Sequence, residues 1–181
     1  MDHELSTPEG LLLRPWQDDD AEVVHEAFSN PDMSRQVAVP ITDLGTARAW
    51  VARTTTGWST GRGFSWAVTR ADGAVVGSVS VSSIDRRHEE GWVSYWTLPA
   101  ARGRGVAAAA TRAAAWWAFT EGGLHRLELG HRANNPASCR VALAAGFVVE
   151  GVERAKLLYD GVRFDVERHA RLATDPWPSP A

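Results

Sequence analysis

Residues 95–107 read YWTLPAARGRGVA. The first four residues are typical of a β-strand, Pro99 ends it, and an alanine-rich helix follows two Gly-Arg pairs. The first turn of a helix leaves backbone N–H groups without intrahelical acceptors, and the helix dipole adds partial positive charge there. A strand, a basic glycine loop and a helix start therefore predict a site for a ligand that contains pyrophosphate.

Composition indicates one ordinary globular domain. The chain has 181 residues, of which 44% are hydrophobic and 23% are charged, and its formal net charge is -3. That size favours a single core, and the charge argues against a general nucleic-acid binder. We expect one domain over residues 1–174 and an irregular, proline-rich tail over residues 175–181.

Cysteine and histidine patterns favour neither disulfides nor a metal centre. Cys139 is the single cysteine, and its place on a short helix fits a small buried side chain better than a nucleophile. The six histidines show no His-Glu-x-x-His spacing, so we expect them to be solvated or hydrogen-bonded, with no metal bound. The N-terminus MDHELSTPEG is acidic and polar, and no membrane span is indicated, which makes a cytoplasmic protein the default expectation.

Turn and cap signals divide the rest of the chain into alternating elements. Predicted helices follow Asp18, a cap at Thr42 or Asp43, and a cap at Asn134 or Asn135, in addition to the helix over residues 104–120. Predicted strands cover residues 11–13, 64–70, 74–82, 91–98, 126–131, 147–158 and 162–172. No repeat or linker separates them, so they should share one mixed sheet.

Several motifs in this order resemble those of the GNAT superfamily of N-acetyltransferases. They are RGRGVA at residues 102–107, NPAS at residues 135–138, GF at residues 146–147 and EG at residues 150–151. The chain is most similar to the branch that includes the ribosomal-protein N-terminal-alanine and N-terminal-serine acetyltransferases. The resemblance extends from LLLRPW near one end to DGVRFDVERHARL near the other.

This resemblance implies a fold, a donor and an acceptor. The fold is α/β (α+β), a single GNAT-like domain whose mostly antiparallel mixed sheet splays between the fourth and fifth strands and carries helices on both faces. The donor is acetyl-coenzyme A, no metal is needed, and the acceptor is a primary amine of a protein, a peptide or a small molecule.

The resemblance also assigns the cofactor-binding positions. Backbone groups of Tyr95, Trp96 and Thr97 would pair with the pantetheine arm, and Asn135 would help to fix the cofactor. The pyrophosphate would lie on Arg102, Gly103, Arg104, Gly105, Val106 and Ala107.

Two residues are candidates for the chemistry. Many relatives carry a proton-donating tyrosine seven residues after the motif asparagine, but here that position is Ala142. Ser138 is therefore our choice for protonating the leaving thiolate, and helix capping is its alternative role. Glu90 precedes the predicted fourth strand, and the alternation along an extended chain puts it in phase with Trp92 and Trp96. It is our candidate for the base, and water-mediated deprotonation is the alternative.

Other readings stay open. The branch often has a glutamate where this chain has Trp92, so a coenzyme A-binding sensor without turnover is the main alternative function. A dinucleotide-binding domain is disfavoured because its glycine loop follows an early strand. Tryptophans near the cleft, namely Trp58, Trp66, Trp92 and Trp96, could line an acceptor pocket or belong to the core. The oligomeric state is open, with a homodimer as the candidate because relatives are often dimers.

Overall fold

The computed structural model describes residues 3–34, 37 and 39–178. Its helices are α1 (Ala21–Phe28), α2 (Pro31–Ser34), α3 (Leu44–Thr60), α4 (Val106–Thr120) and α5 (Pro136–Ala144). Its strands are β1 (Leu5–Ser6), β2 (Leu12–Pro15), β3 (Phe64–Thr69), β4 (Val75–Asp85), β5 (Glu90–Thr97), β6 (Arg126–Arg132), β7 (Val148–Tyr159) and β8 (Val162–Leu172).

The strands form one sheet in the order β1-β2-β3-β4-β5-β6-β8-β7. Pairing is antiparallel except between β5 and β6, which are parallel because α4 connects them. The predicted mixed, mostly antiparallel sheet is thus confirmed. The predicted fourth and fifth strands correspond to β5 and β6. The numbering differs by one because the structure adds the two-residue strand β1, which is too short to give a sequence pattern.

Each face of the sheet has its own apolar cluster, with helices outside it. On one face α4 and α5 pack over Val79, Val81 and Leu127. On the other face α1 and α3 pack over Ala67 and Trp96. Helices therefore cover both faces, as predicted.

Alanine lets α4 lie close to the sheet. Ala110, Ala114 and Ala118, which are four residues apart on one stripe of the helix, are buried, whereas Trp116 is about half exposed. Trp117 points inward and meets Trp66 edge-on, with ring centroids 5.1 Å apart. Only one of the two adjacent tryptophans therefore belongs to the core.

The predicted helix caps explain where two helices begin. Asp43 caps α3 by accepting a hydrogen bond of 2.8 Å from the Thr46 N–H. Asn135 caps α5, and Pro136 occupies the first turn, where its missing N–H costs nothing. Helix α1 ends at Phe28, and Pro31 begins the short helix α2, since proline is tolerated at a helix start.

The chain beyond β8 carries no helix or strand over residues 173–178. It is nevertheless attached to the domain, since the Arg171 guanidinium lies 4.0 Å from the centre of the Trp177 ring. Among the described residues, no helix is both long and apolar enough to cross a membrane.

Candidate active site in the gap of the sheet

A gap opens in the sheet between β5 and β6. The two strands pair only at their first three positions, from Glu90 opposite Arg126 to Trp92 opposite Glu128. Beyond these positions, residues 93–97 of β5 and 129–132 of β6 are not paired with each other. The backbone groups on the gap side of both strands are therefore available to a ligand.

The register of β5 decides which of its backbone groups face the gap. The Leu98 N–H donates to the Val76 carbonyl on the β4 side at 2.9 Å. A Cβ at Gly77 of β4 would lie 2.5 Å from the Trp96 carbonyl oxygen, so that carbonyl also faces β4. Because consecutive residues alternate in direction, the backbone groups of Tyr95 and Thr97 face the gap.

Trp96 is placed differently from our sequence prediction. Its backbone faces β4, and its side chain packs with Trp16 and Phe28 under α1. Tyr95 and Thr97 remain in position to meet an extended ligand, whereas Trp96 is not. The sequence pattern located the strand but not the phase of its hydrogen bonds.

The glycine loop lies immediately before α4. Gly103 and Gly105 have φ angles of 73° and 75°, and a Cβ at either position would meet nothing within 4 Å. Within the described part of the chain, no protein acceptor is found for the N–H groups of residues 103–108. The first turn of α4, with Val106 and Ala107, therefore presents free donors beside an open surface.

Both arginines of the loop are exposed to solvent. The Arg102 Nε donates to the Thr97 carbonyl at 3.3 Å, which folds its side chain back towards the end of β5. Arg104 makes no ion pair or hydrogen bond with another described residue. The loop thus combines free N–H groups, a helix dipole and two cations.

The first turn of α5 lies near the same gap. Asn135 Oδ1 accepts the Ser138 N–H at 3.2 Å, and Asn135 Nδ2 donates to Ser138 Oγ at 3.1 Å. The capping residue is therefore Asn135 and not Ser138. Because Oγ accepts from the amide, the hydroxyl hydrogen of Ser138 stays available for another acceptor.

Tyr95 connects the edge of the gap to this turn. Its hydroxyl donates to the Ser138 carbonyl at 3.0 Å, and burial raises the pKa of Tyr95 to about 12. The phenol therefore stays protonated at neutral pH and holds α5 against β5. This contact joins residues 43 positions apart in the chain, so the sequence indicated a role only for the backbone of Tyr95.

Neither nearby glutamate is well placed as a base. Glu90 lies at the closed end of the β5–β6 pair, where the two strands are still hydrogen-bonded. Ser94, in the unpaired part of β5 that borders the gap, is four residues further on, which is roughly 13 Å along a strand. Glu128 is on the gap-bordering strand, but both of its carboxylate oxygens are engaged in ion pairs, one with Arg126 and one with Arg168. Glu90 as the base stays a prediction that this geometry does not favour.

The four tryptophans considered for an acceptor pocket divide between different roles. Trp66 is fully buried, and Trp58 packs against it, so both belong to the core. Trp92 is covered by Arg168, whose guanidinium lies 4.5 Å from the ring centre. Trp96 borders a cavity of about 170 Å³ together with residues of α1, α2 and the loop.

A larger cavity of about 350 Å³ lies between α3 and strands β3 and β4. Arg53, Arg62 and the hydroxyls of Ser80 and Ser82 are among its lining residues. Ser80 and Ser82 pair across β4 and β5 with Ser94 and Trp92, so this cavity lies one strand away from the gap.

The structure also brings together four polar residues that are far apart in the sequence. His131, Cys139, Glu167 and His169 converge beneath α5, with their donor atoms all within 4.8 Å of one another. Both histidines are buried and hydrogen-bonded, which agrees with the hydrogen-bonded alternative of our prediction. The i, i+2 spacing of Glu167 and His169 on a strand was the one local signal, because it puts both on the same face.

Comparison with known proteins gives a consistent result. Residues 10–148 match the Acetyltransferase (GNAT) domain family. The chain is 26% identical over 157 residues to the uncharacterized N-acetyltransferase YoaA of Bacillus subtilis, covering 86% of this chain and 89% of YoaA. It is 30% identical over 99 residues to the ribosomal-protein-serine acetyltransferase of Escherichia coli, covering 54% and 55% of the two chains.

A solved structure of Mycobacterium smegmatis RimJ in complex with CoA-disulfide has a similar fold. It superposes with a TM-score of 0.82 at 23% identity, over 94% of this chain and 86% of RimJ. At that identity the likeness shows a shared fold.

Proposed function

The chain belongs to the GNAT acetyltransferase family, and we propose that it transfers the acetyl group of acetyl-coenzyme A to the α-amine of a protein or peptide. The gap between β5 and β6 carries this proposal, because it leads directly from the glycine loop into the sheet.

The glycine loop is proposed to bind the donor through its pyrophosphate. The free N–H groups of residues 103–107, the dipole of α4 and the cations Arg102 and Arg104 all favour an anion at one place. The gap-facing backbone groups of Tyr95 and Thr97 would then pair with the amides of the pantetheine arm, as an added strand does.

The transfer is proposed to proceed by direct attack of a neutral amine on the thioester carbonyl. A carbon–nitrogen bond forms, the carbon–sulfur bond breaks, the attacking nitrogen loses a proton to water, and the leaving thiolate takes one. A gap-facing N–H of β5 would stabilise the negative charge that develops on the carbonyl oxygen. No metal takes part in this reaction.

Ser138 is proposed to donate the proton, or a hydrogen bond, to the leaving sulfur. Its hydroxyl already accepts from Asn135 Nδ2, so its own hydrogen can point elsewhere. Asn135 would thereby act on the cofactor indirectly, by holding Ser138 in place. Water-mediated deprotonation is proposed for the incoming ammonium, since neither Glu90 nor Glu128 is suitably placed or free.

The acceptor is proposed to approach from the face of α1 and α3, opposite α4 and α5. Both cavities lie on that face, and the larger one carries Arg53 and Arg62. Two cations one strand away from the gap favour an acceptor with acidic groups near its amine. An open cleft of this kind suits a flexible chain end.

The test is a transfer assay on a panel of amines. Protein incubated with acetyl-coenzyme A should release free thiol fastest with peptides that have acidic residues near a free N-terminus, and mass spectrometry should place the acetyl group on the α-amine. The matched control is the same peptides with a blocked N-terminus. Faster transfer to small-molecule amines would overturn the acceptor assignment, and coenzyme A binding without any turnover would favour the sensor alternative.

A further inference from the structure

The cluster beneath α5 brings together four donor atoms from three elements. His131 lies on β6, Cys139 on α5, and Glu167 and His169 on β8. The two Nε2 atoms of the histidines are 2.9 Å apart, and Glu167 Oε1 lies 3.0 Å from His169 Nε2 and 3.4 Å from His131 Nε2. These three donor atoms therefore form a compact triangle.

A hydrogen bond to the backbone determines which ring nitrogen of His131 carries the hydrogen. His131 Nδ1 lies 2.9 Å from the Arg132 carbonyl, which can only accept, so Nδ1 carries the hydrogen. In the neutral ring, Nε2 then presents its lone pair to the cluster. A backbone carbonyl on the far nitrogen is a common way to orient a metal-binding histidine.

The other members also direct their polar groups inward. The polar contacts of His169 are all made through Nε2, and its buried Nδ1 has no partner among the described residues. The Cys139 Sγ lies within 4.8 Å of the other three donor atoms, and the neighbouring Glu167 carboxylate raises the pKa of the thiol. A thiol, a carboxylate and two imidazoles thus share a space that one cation would fill.

The donor set and its size suit zinc. Imidazole nitrogen, thiolate sulfur and carboxylate oxygen are all ligands that Zn²⁺ accepts, whereas Mg²⁺ and Ca²⁺ require mostly oxygen. Tetrahedral zinc at its usual bond lengths separates neighbouring donors by about 3.3–3.6 Å. The separation of 3.4 Å already lies in that range, and outward shifts of a few tenths of an ångström would bring the separations of 2.9 Å and 3.0 Å to it. A thiolate and a carboxylate would also balance the charge of the ion.

We propose that His131, Cys139, Glu167 and His169 bind one Zn²⁺ ion in a closed, four-ligand structural site. The ion would attach α5 to β6 and β8. Because Cys139 directly follows Ser138, it would also fix the turn that borders the gap. This inference does not depend on the acceptor or on acetyl transfer, since the ion takes no part in that reaction.

Cobalt substitution tests the site directly. Purified chain without a histidine tag is freed of metal and titrated with Co²⁺, and its absorption spectrum is recorded. We expect one Co²⁺ per chain, tetrahedral d–d bands and a thiolate-to-cobalt charge-transfer band, with Zn²⁺ displacing the cobalt. The chain has a single cysteine, so any such charge-transfer band must come from Cys139.

Variants test the cysteine and histidine ligands one at a time. Cys139→Ser should abolish the charge-transfer band, and His131→Ala or His169→Ala should weaken Co²⁺ binding at least tenfold. His125→Ala is the control, because His125 is exposed and outside the cluster, and its spectrum should match the wild type. Circular dichroism checks that each variant is folded.

Two results would overturn the proposal. One is a folded wild-type chain that gives no charge-transfer band with Co²⁺. The other is a band that persists at full affinity in both histidine variants, since the metal would then be held by Cys139 elsewhere. Neither result would bear on coenzyme A binding, which is measured separately.

Discussion

The substitution Gly105→Glu would put a negative side chain at the start of α4. Gly105 has a φ of 75° and open space around its Cβ position, so the change causes no steric clash. A non-glycine residue in this conformation costs about 1–2 kcal/mol of stability. The new carboxylate would lie near the bound pyrophosphate, where like charges about 4 Å apart repel by about 1 kcal/mol in water and about 4 kcal/mol near a protein surface. We therefore expect the Kd for coenzyme A to rise by about 5-fold to 1,000-fold.

Gly161→Glu is the matched control for this substitution. Gly161 lies in the β7–β8 turn, is exposed, has a φ of 79° and has open space around its Cβ position. It should lose similar stability in urea unfolding while keeping its affinity for coenzyme A by calorimetry. Added salt should reduce the affinity deficit of Gly105→Glu, because exposed charges are screened. Equal affinity in the two variants would refute the assignment of the glycine loop.

Three further substitutions test other contacts. Ser138→Ala should lower kcat by about 10²-fold or more while the Kd for acetyl-coenzyme A changes little, and an unchanged kcat would remove Ser138 from the chemistry. Gly77→Ala should destabilise the fold by about 1–3 kcal/mol in urea unfolding, because its Cβ would lie 2.5 Å from the Trp96 carbonyl oxygen; full stability would show that β5 has another register. Tyr95→Phe should cost about 1 kcal/mol at neutral pH by losing the bond to Ser138. Since the folded pKa of Tyr95 is raised to about 12, the wild type should lose stability relative to this variant as pH rises from about 10 to 12, and parallel pH profiles would contradict that.

The sequence could predict those features of the fold and the site that depend on residues only a few positions apart. A glycine loop between a strand and a helix start is encoded in residues 95–107, and its positive φ angles follow from Gly103 and Gly105. The caps at Asp43 and Asn135 are likewise local, because each side chain bonds an N–H three residues later. Such features do not depend on how distant segments pack.

The parts that could not be predicted depend on register and on contacts between distant segments. Whether Trp96 faces the gap is set by its pairing with β4, and a shift of one residue would reverse it. The contact of Tyr95 with Ser138 and that of His131 with His169 span 43 and 38 positions. No local spacing encodes these contacts, so four donor residues that looked unrelated meet beneath α5.

Backbone amide NMR during titration with coenzyme A tests the central claim most directly. The account predicts that the largest shifts fall on the amides of residues 103–107 and on the gap-facing amides of Tyr95 and Thr97, while the amide of Trp96, which faces β4, shifts less. Shifts confined to another surface, with these amides unchanged at saturation, would contradict it.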